Sequence, residues 1–231
     1  MPKEHLPVYQ IQDFKAQAEK ESYFYFSLFK VHLKEHLFIR EPHKHNFYII
    51  LLINQGTGTH TIDLRSYEVR PNMIFFLSPG QVHSWTLSED ADGLVIFFSS
   101  EFNLKELPHK NISRFPFFHT LLRTPVLYIS QEEKYALMPN LQALQKEYLT
   151  QGLMRNEVLS CYLNILLIYL TRIYQSQGED TQVPGGELSL LQRLENLITQ
   201  HYRDHLPITF YADQLHVTAR YLTEVCKRSL G

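Results

Sequence analysis

Cysteine is scarce in this chain: Cys161 and Cys226 are the two among 231 residues, they form no Cys-x-x-Cys pair, and both fall in helical patterns. A disulfide is therefore not expected, and both are read as free thiols in packed positions. Net charge is small too. With 22 basic and 24 acidic residues the formal charge is −2, too little for a whole-molecule attraction to phosphate. No charge-free run of about 18 apolar residues is present, and the N-terminus MPKEHLPVYQ lacks the basic-then-apolar pattern of a secretion signal. The expectation is a cytoplasmic protein with no membrane partner. No Ser-His-Asp arrangement, phosphate loop or paired carboxylate stands out, so no enzyme is expected either.

What is present points to the C-terminal end. FYADQLHVTARYLTEVCKRSL reads as two short helices joined by a tight turn. Tyr211, Ala212 and Leu215 line one side of the first helix, and Ala212 is small enough to let a crossing helix approach. Val217 plugs the turn and Thr218 caps a second helix starting at about Ala219, with Tyr221, Leu222 and Val225 or Cys226 inward and Arg220, Thr223, Glu224 and Lys227 outward. Such a helix can enter a major groove, where Arg reads guanine, Glu accepts from cytosine N4, Thr serves either, and Lys meets phosphate. The alternative is an ordinary helical hairpin packed on a larger domain. From Glu187 to Gly231 five basic residues balance five acidic ones, so this segment alone should hold DNA weakly.

From about Tyr23 to Phe102 short apolar runs alternate with turns: FYFSLFKV, LFIREPHKH, FYIILLIN, QGTGTHTIDL, VRPNMIFFLSPG and HSWTLSEDADGLVIFF. This is an all-β pattern, a small barrel or double-sheeted roll, with its clearest turns at Gln55–Gly58 and Ser78–Gln81. His43 and His45 form a His-x-His pair sharing one strand face, and His83 follows a turn. Three converging imidazoles could hold zinc, iron or copper, line a polar effector pocket, or simply make structural hydrogen bonds. Ile49 and Ile50 stand where a carboxylate ligand would be wanted, which weighs against the metal. Most of the 15 Phe and 14 Tyr are read as core, while Trp85, two residues after His83, is a candidate for ligand stacking.

Beyond an irregular connector, Ser130 and Glu133 make a capping box for a helix from Gln131 to about Thr150, with Pro139 inside it. A second helix, about Asn156 to Tyr174, is apolar round enough of its circumference to want a partner helix or a second subunit. SQGEDTQVPGG reads as a hinge. An amphipathic helix follows from about Leu188 to Tyr202, with Leu191, Leu194 and Ile198 on one face.

Taken together, EPHKHNFYIILLINQGTGTHTID and MIFFLSPGQVHSW resemble the N-terminal cupin-like domain of the AraC/XylS family of bacterial transcription regulators, and YADQLHVTARYLTEVCKRSLG is similar to the first of that family's two helix-turn-helix units. The resemblance covers nearly the whole chain. It implies an α+β fold: a cupin-like β-barrel (double-stranded β-helix) sensing domain over 1–130, a helical dimerisation region over 131–177, a linker over 178–187, and a helix-turn-helix over 188–231. It implies as partners promoter DNA, a small-molecule effector such as a sugar, and a second copy of the chain, with no cofactor and no metal. Arg220, Thr223 and Glu224 fall at base-facing positions with Lys227 beside them, and His43, His45, His83 and Trp85 are the effector candidates. Two departures stand out. Val225-Cys226 replaces the family's usual aromatic, and the sequence stops at Gly231, so the family's linker helix and second helix-turn-helix are expected to be missing from this polypeptide.

Overall fold

The computed structural model describes residues 6–14, 23–102, 112–119, 124–150, 152–177, 185–201 and 204–230. Its strands are β1 (Val8–Tyr9), β2 (Phe24–Leu28), β3 (Lys44–His45), β4 (Tyr48–Gln55), β5 (Gly58–Ile62), β6 (Arg65–Val69), β7 (Met73–Leu77), β8 (His83–Leu87), β9 (Asp92–Phe98) and β10 (Val126–Tyr128). They form an antiparallel five-stranded sheet in the order β10-β7-β4-β9-β2, an antiparallel three-stranded sheet β6-β5-β8, and a short parallel pair β1-β3.

The chain changes sheets at its corners, from β4 to β5, β6 to β7, β7 to β8 and β8 to β9. At the first corner Gly56 takes φ +95°, and a Cβ there would stand 2.5 Å from the Ala91 Cα, so glycine is required. Among the described residues no ladder crosses these corners, and the sheets are not closed into a barrel. That corrects the closed-barrel expectation, because closure needs staggered strand pairing to continue round the whole wall. Two facing sheets form instead.

Period-two alternation gives the five-stranded sheet two apolar faces. Ile49, Leu51, Ile53, Phe75, Leu77, Val95 and Phe97 turn toward the three-stranded sheet and cluster with Ile62 and Val69. Ile50, Leu52, Ile74, Phe76, Leu94 and Ile96 turn the other way and cluster with Leu137, Leu141 and Leu144 of one helix and Leu159, Leu163, Leu166, Leu167 and Leu170 of the next. With both faces covered, β4 and β9 read as unbroken apolar runs.

The run FYFSLFKV does not stay extended, since β2 hands over to helix α1 (Phe29–Glu35), whose first turn is tied down by Lys30 N–H donating to Asp92 Oδ1 at 3.2 Å. Helix α2 (Gln131–Leu149) begins with the capping box, Glu133 N–H donating to Ser130 Oγ at 3.1 Å and Ser130 N–H to Glu133 Oε2 at 2.7 Å, and continues through Pro139 without ending. Helix α3 (Arg155–Ser176) is by length and composition apolar enough to cross a membrane, as core helices also can be; its buried leucines lie in the cluster under the sheet.

Helices α4 (Gly185–His201), α5 (Ile208–Gln214) and α6 (Ala219–Leu230) share a separate core of Leu190, Leu191, Leu194, Ala212, Leu215, Leu222 and Val225. Three side chains expected inside are not: Ile198 is 40% exposed, Tyr221 is 42% exposed, and Cys161 is exposed. Helical phase places Leu222 and Val225 at the centre of the buried face of α6, one residue off Tyr221. Most of the expected hinge, 178–184, and parts of the connector, 103–111 and 120–123, lie outside the described residues.

Candidate functional site

Strands β3, β5 and β8 bring four imidazoles into the space between the sheets. His43 and His83 form a mutual bridge, His43 N–H donating to the His83 carbonyl at 3.1 Å and His83 N–H to the His43 carbonyl at 3.0 Å. His45 lies two residues along from His43, and Gly80 N–H in the turn before β8 donates to its carbonyl at 2.9 Å. On β8, Trp85 shares the face of His83 and stands opposite His60 of β5 in the strand register. Ring centroids lie 4.3 Å apart for His43–His83, 4.9 Å for His45–His83, 5.3 Å for His60–His83, and 5.1 Å and 5.5 Å from Trp85 to His83 and His60. The structure thus brings His43, His45, His83 and Trp85 together and adds His60.

The sequence reading missed His60, although Gly58-Thr59-His60-Thr61-Ile62 carries a period-two signal that puts His60 on the face of buried Ile62. It also missed His32 and His36, which fall between the runs FYFSLFKV and LFIREPHKH; on α1 and at its end they sit four residues apart on one side. Tyr25 Oη lies 2.9 Å from His32 Nδ1, and the His32 ring stacks on Phe14 at 5.3 Å between centroids.

Burial governs the charge of these rings. Removal from water holds His32, His45 and His60 at a pKa of about 3, pushes His83 well below its ordinary value, and lowers His43 and His36 as well. Tyr25 is raised to about 12 by the same desolvation. No Asp, Glu, Lys or Arg is buried among the described residues; Glu35 favours the charged form of the neighbouring His36 ring without overcoming its burial. His43 Nδ1 donates to the Glu41 carbonyl at 2.8 Å and His45 Nδ1 to the Phe47 carbonyl at 2.9 Å, while His60 Nε2 and His83 Nδ1 share a proton across 3.0 Å. Three buried nitrogens, His45 Nε2, His60 Nδ1 and His83 Nε2, have no hydrogen-bond partner. Among the described residues no three His, Cys, Asp or Glu side chains are placed to hold a metal ion. A small apolar cavity lies on the opposite side of the five-stranded sheet, lined by Ile50, Leu52, Leu141, Leu166 and Leu170 among others, away from the histidines.

At the other end of the chain α5 and α6 are joined by Leu215–Thr218, with Val217 N–H donating to the Ala212 carbonyl at 3.0 Å and Tyr221 N–H to Thr218 Oγ1 at 3.1 Å, the bond of an N-cap. Arg220, Glu224 and Lys227 are exposed, and Thr223 is half-buried with its hydroxyl donating to the Ala219 carbonyl at 2.8 Å. Arg220 Nε meets Glu224 Oε1 at 3.0 Å.

Residues 23–126 match the family model of the AraC-like ligand-binding domain. Among solved structures, the chain is similar to the AraC-like transcriptional activator CuxR, at 16% identity and a TM-score of 0.41, covering 80% of this chain and 62% of that one. It is also similar to fatty-acid-bound ToxT from Vibrio cholerae strain SCE256, at 10% identity and a TM-score of 0.44, covering 88% and 73%, and to an oxalate decarboxylase variant from Bacillus subtilis, at 16% identity and a TM-score of 0.23, covering 39% and 30%. The chain therefore spans less than two thirds of the length of the activator. No curated protein matches it.

All four imidazoles and Trp85 lie within the matched AraC-like domain, whereas Arg220, Thr223, Glu224 and Lys227 lie outside it.

Proposed function

We propose that this chain is a cytoplasmic, non-catalytic regulator of transcription that senses a small molecule in its AraC-like domain and binds DNA sequence-specifically through α5 and α6. The observation that carries the reading is one polypeptide combining an AraC-like ligand-binding segment with a compact pair of short helices whose polar face is open. In this reading 1–130 senses, 131–177 dimerises, 178–187 links and 188–231 is a helix-turn-helix. The effector sits among His43, His45, His83 and Trp85, where buried nitrogens without partners and an indole offer hydrogen bonds and stacking. Arg220 would read guanine, Glu224 cytosine N4 and Thr223 either base or phosphate, with Lys227 on phosphate. The Arg220–Glu224 pair, exposed on both sides, parts at little cost on DNA. Ile165 and Tyr169, exposed on α3, supply apolar surface for a second copy of the chain.

A second reading, a ligand-binding or interaction protein without DNA, draws on the charge balance of −2. Fluorescence anisotropy with the gene's own promoter DNA at fixed salt, with and without effector, separates the two. Arg220→Ala should weaken specific binding by about 10- to 100-fold; indifference to Arg220→Ala and Glu224→Ala would favour the second reading.

A further inference from the structure

Glu195 lies on α4, yet its carboxylate reaches outside the three-helix core. His119 Nδ1 stands 3.3 Å from Glu195 Oε2, and only 5% and 13% of the two side chains are exposed. A carboxylate accepts and cannot donate, so Nδ1 carries the proton of this bond. His119 belongs to the matched AraC-like segment, so the contact spans 76 residues of chain and joins that segment to α4. Tyr48 faces the same carboxylate: burial pushes its phenol up, and the Glu195 charge adds to the rise. Apolar surface between two units resists parting, whereas a carboxylate and an imidazole regain water when they separate. The join is therefore one that can open.

The seat of Glu195 is tied to the histidine face at two places. Phe118, beside His119, lies edge-on to Tyr48 at 4.9 Å between centroids, and its carbonyl accepts from Ser78 Oγ at 2.9 Å. Ser78 opens the turn into β8, where its N–H donates to Gln81 Oε1 at 2.8 Å and Gly80 N–H donates to the His45 carbonyl; His83 follows two residues after Gln81. Tyr48 begins β4 directly after Phe47, whose carbonyl accepts from His45 Nδ1. A shift of His45 or His83 thus moves both walls of the seat. Arg220, Glu224 and Lys227 stay exposed in this arrangement, so the contact acts on the orientation of α6 without covering its polar face.

We propose that Glu195 is a latch: bound to His119 and facing Tyr48, it docks α4 on the wall that carries His45 and His83 and couples that wall to the orientation of α5 and α6. Its regulatory role rests on the proposed function; the docking does not. Amide hydrogen exchange of the full chain, read in α4 and at Ser78, Gly80 and Gln81, tests it. Glu195→Ala and His119→Ala should each speed exchange about tenfold in both places, and the double variant no further than either alone. His119→Asn, which keeps a donor close to the position of Nδ1, should restore most of the protection. Ser78→Ala should speed exchange in α4, because coupling is reciprocal. Arg193→Ala, on the exposed side of the same helix, should leave the turn unchanged. Acceleration confined to α4 after Glu195→Ala, or additive effects of the His119 and Glu195 variants, overturns the latch. His119→Ala and Ser78→Ala alter nothing in α4, so they decide the matter even where Glu195→Ala fails to fold: α4 exchange indifferent to both overturns it as well. Coupled exchange without specific promoter binding removes the regulator and leaves the latch standing, whereas specific promoter binding with uncoupled exchange removes the latch alone.

Discussion

The two faces of the five-stranded sheet are built to opposite specifications. The face toward α2 and α3 buries Ile50, Leu52, Ile74, Leu94 and Ile96 against eight leucines. The face toward the three-stranded sheet buries a comparable set of aliphatic and aromatic residues but shares its space with six histidines, three of whose nitrogens go unpaired. Hydrophobic burial stabilises without regard to pH, whereas a buried imidazole resists the proton it takes freely in water. One face is a foundation; the other gives up stability for chemistry.

The largest effect expected from that contrast is with pH. The folded values of His32, His45 and His60, about 3, lie below the ordinary 6.5, so above 6.5 both folded and unfolded chains leave these rings neutral. As pH falls below 6.5 the unfolded chain binds protons that the folded one refuses, and stability is lost down to about pH 3. Three such groups should remove about 5 kcal/mol between pH 6.5 and 5. Urea midpoints at the two values test it; an unchanged midpoint would mean these histidines are not buried neutral. Next in size is the aliphatic face. Leu170, 0% exposed and lining the apolar cavity, should cost about 3 kcal/mol on replacement by Ala, and the loss should be the same at pH 7.5 and 6.

Much of this was legible in the sequence. β4 and β9 announce themselves as unbroken apolar runs, Ser130 and Glu133 mark the start of α2, and Thr218 marks the start of α6, because each signal is local in the chain. The failures are non-local. Closure of a barrel depends on which strands pair at the corners, and that is not encoded in any single strand. His60 sits among threonines and glycine, with an inward direction that shows only once β5 is laid against β8. Phe29, Val31 and Leu33 alternate like a strand, yet the segment winds into α1, where Phe29 and His32 turn inward. Tyr221 and Ile198 match the helical period of their neighbours but lie at or beyond the edge of the three-helix core.

Smaller changes sharpen the comparison inside the histidine face. Tyr25→Phe removes the hydroxyl that lies 2.9 Å from His32 Nδ1 and should cost about 1–2 kcal/mol by leaving a buried nitrogen unpaired. Chemical denaturation at pH 7.5 reads it, and a neutral result would show that His32 finds another partner.

His60→Leu is the smallest and the most informative. The substitution removes one unpaired nitrogen, His60 Nδ1, and creates another by taking away the partner of His83 Nδ1, while replacing a polar ring with an aliphatic side chain suited to Phe75 beside it. Those contributions oppose one another, so stability at pH 7.5 should stay within about 1 kcal/mol of the original. The pH slope should flatten by one proton, about a third of the loss expected from the three histidines between pH 6.5 and 5. Urea midpoints of the variant at pH 7.5, 6.5 and 5 give both numbers at once. A loss above about 2 kcal/mol at pH 7.5 would make the His60–His83 bond part of the foundation, and the division of labour between the two faces of the sheet would fall with it.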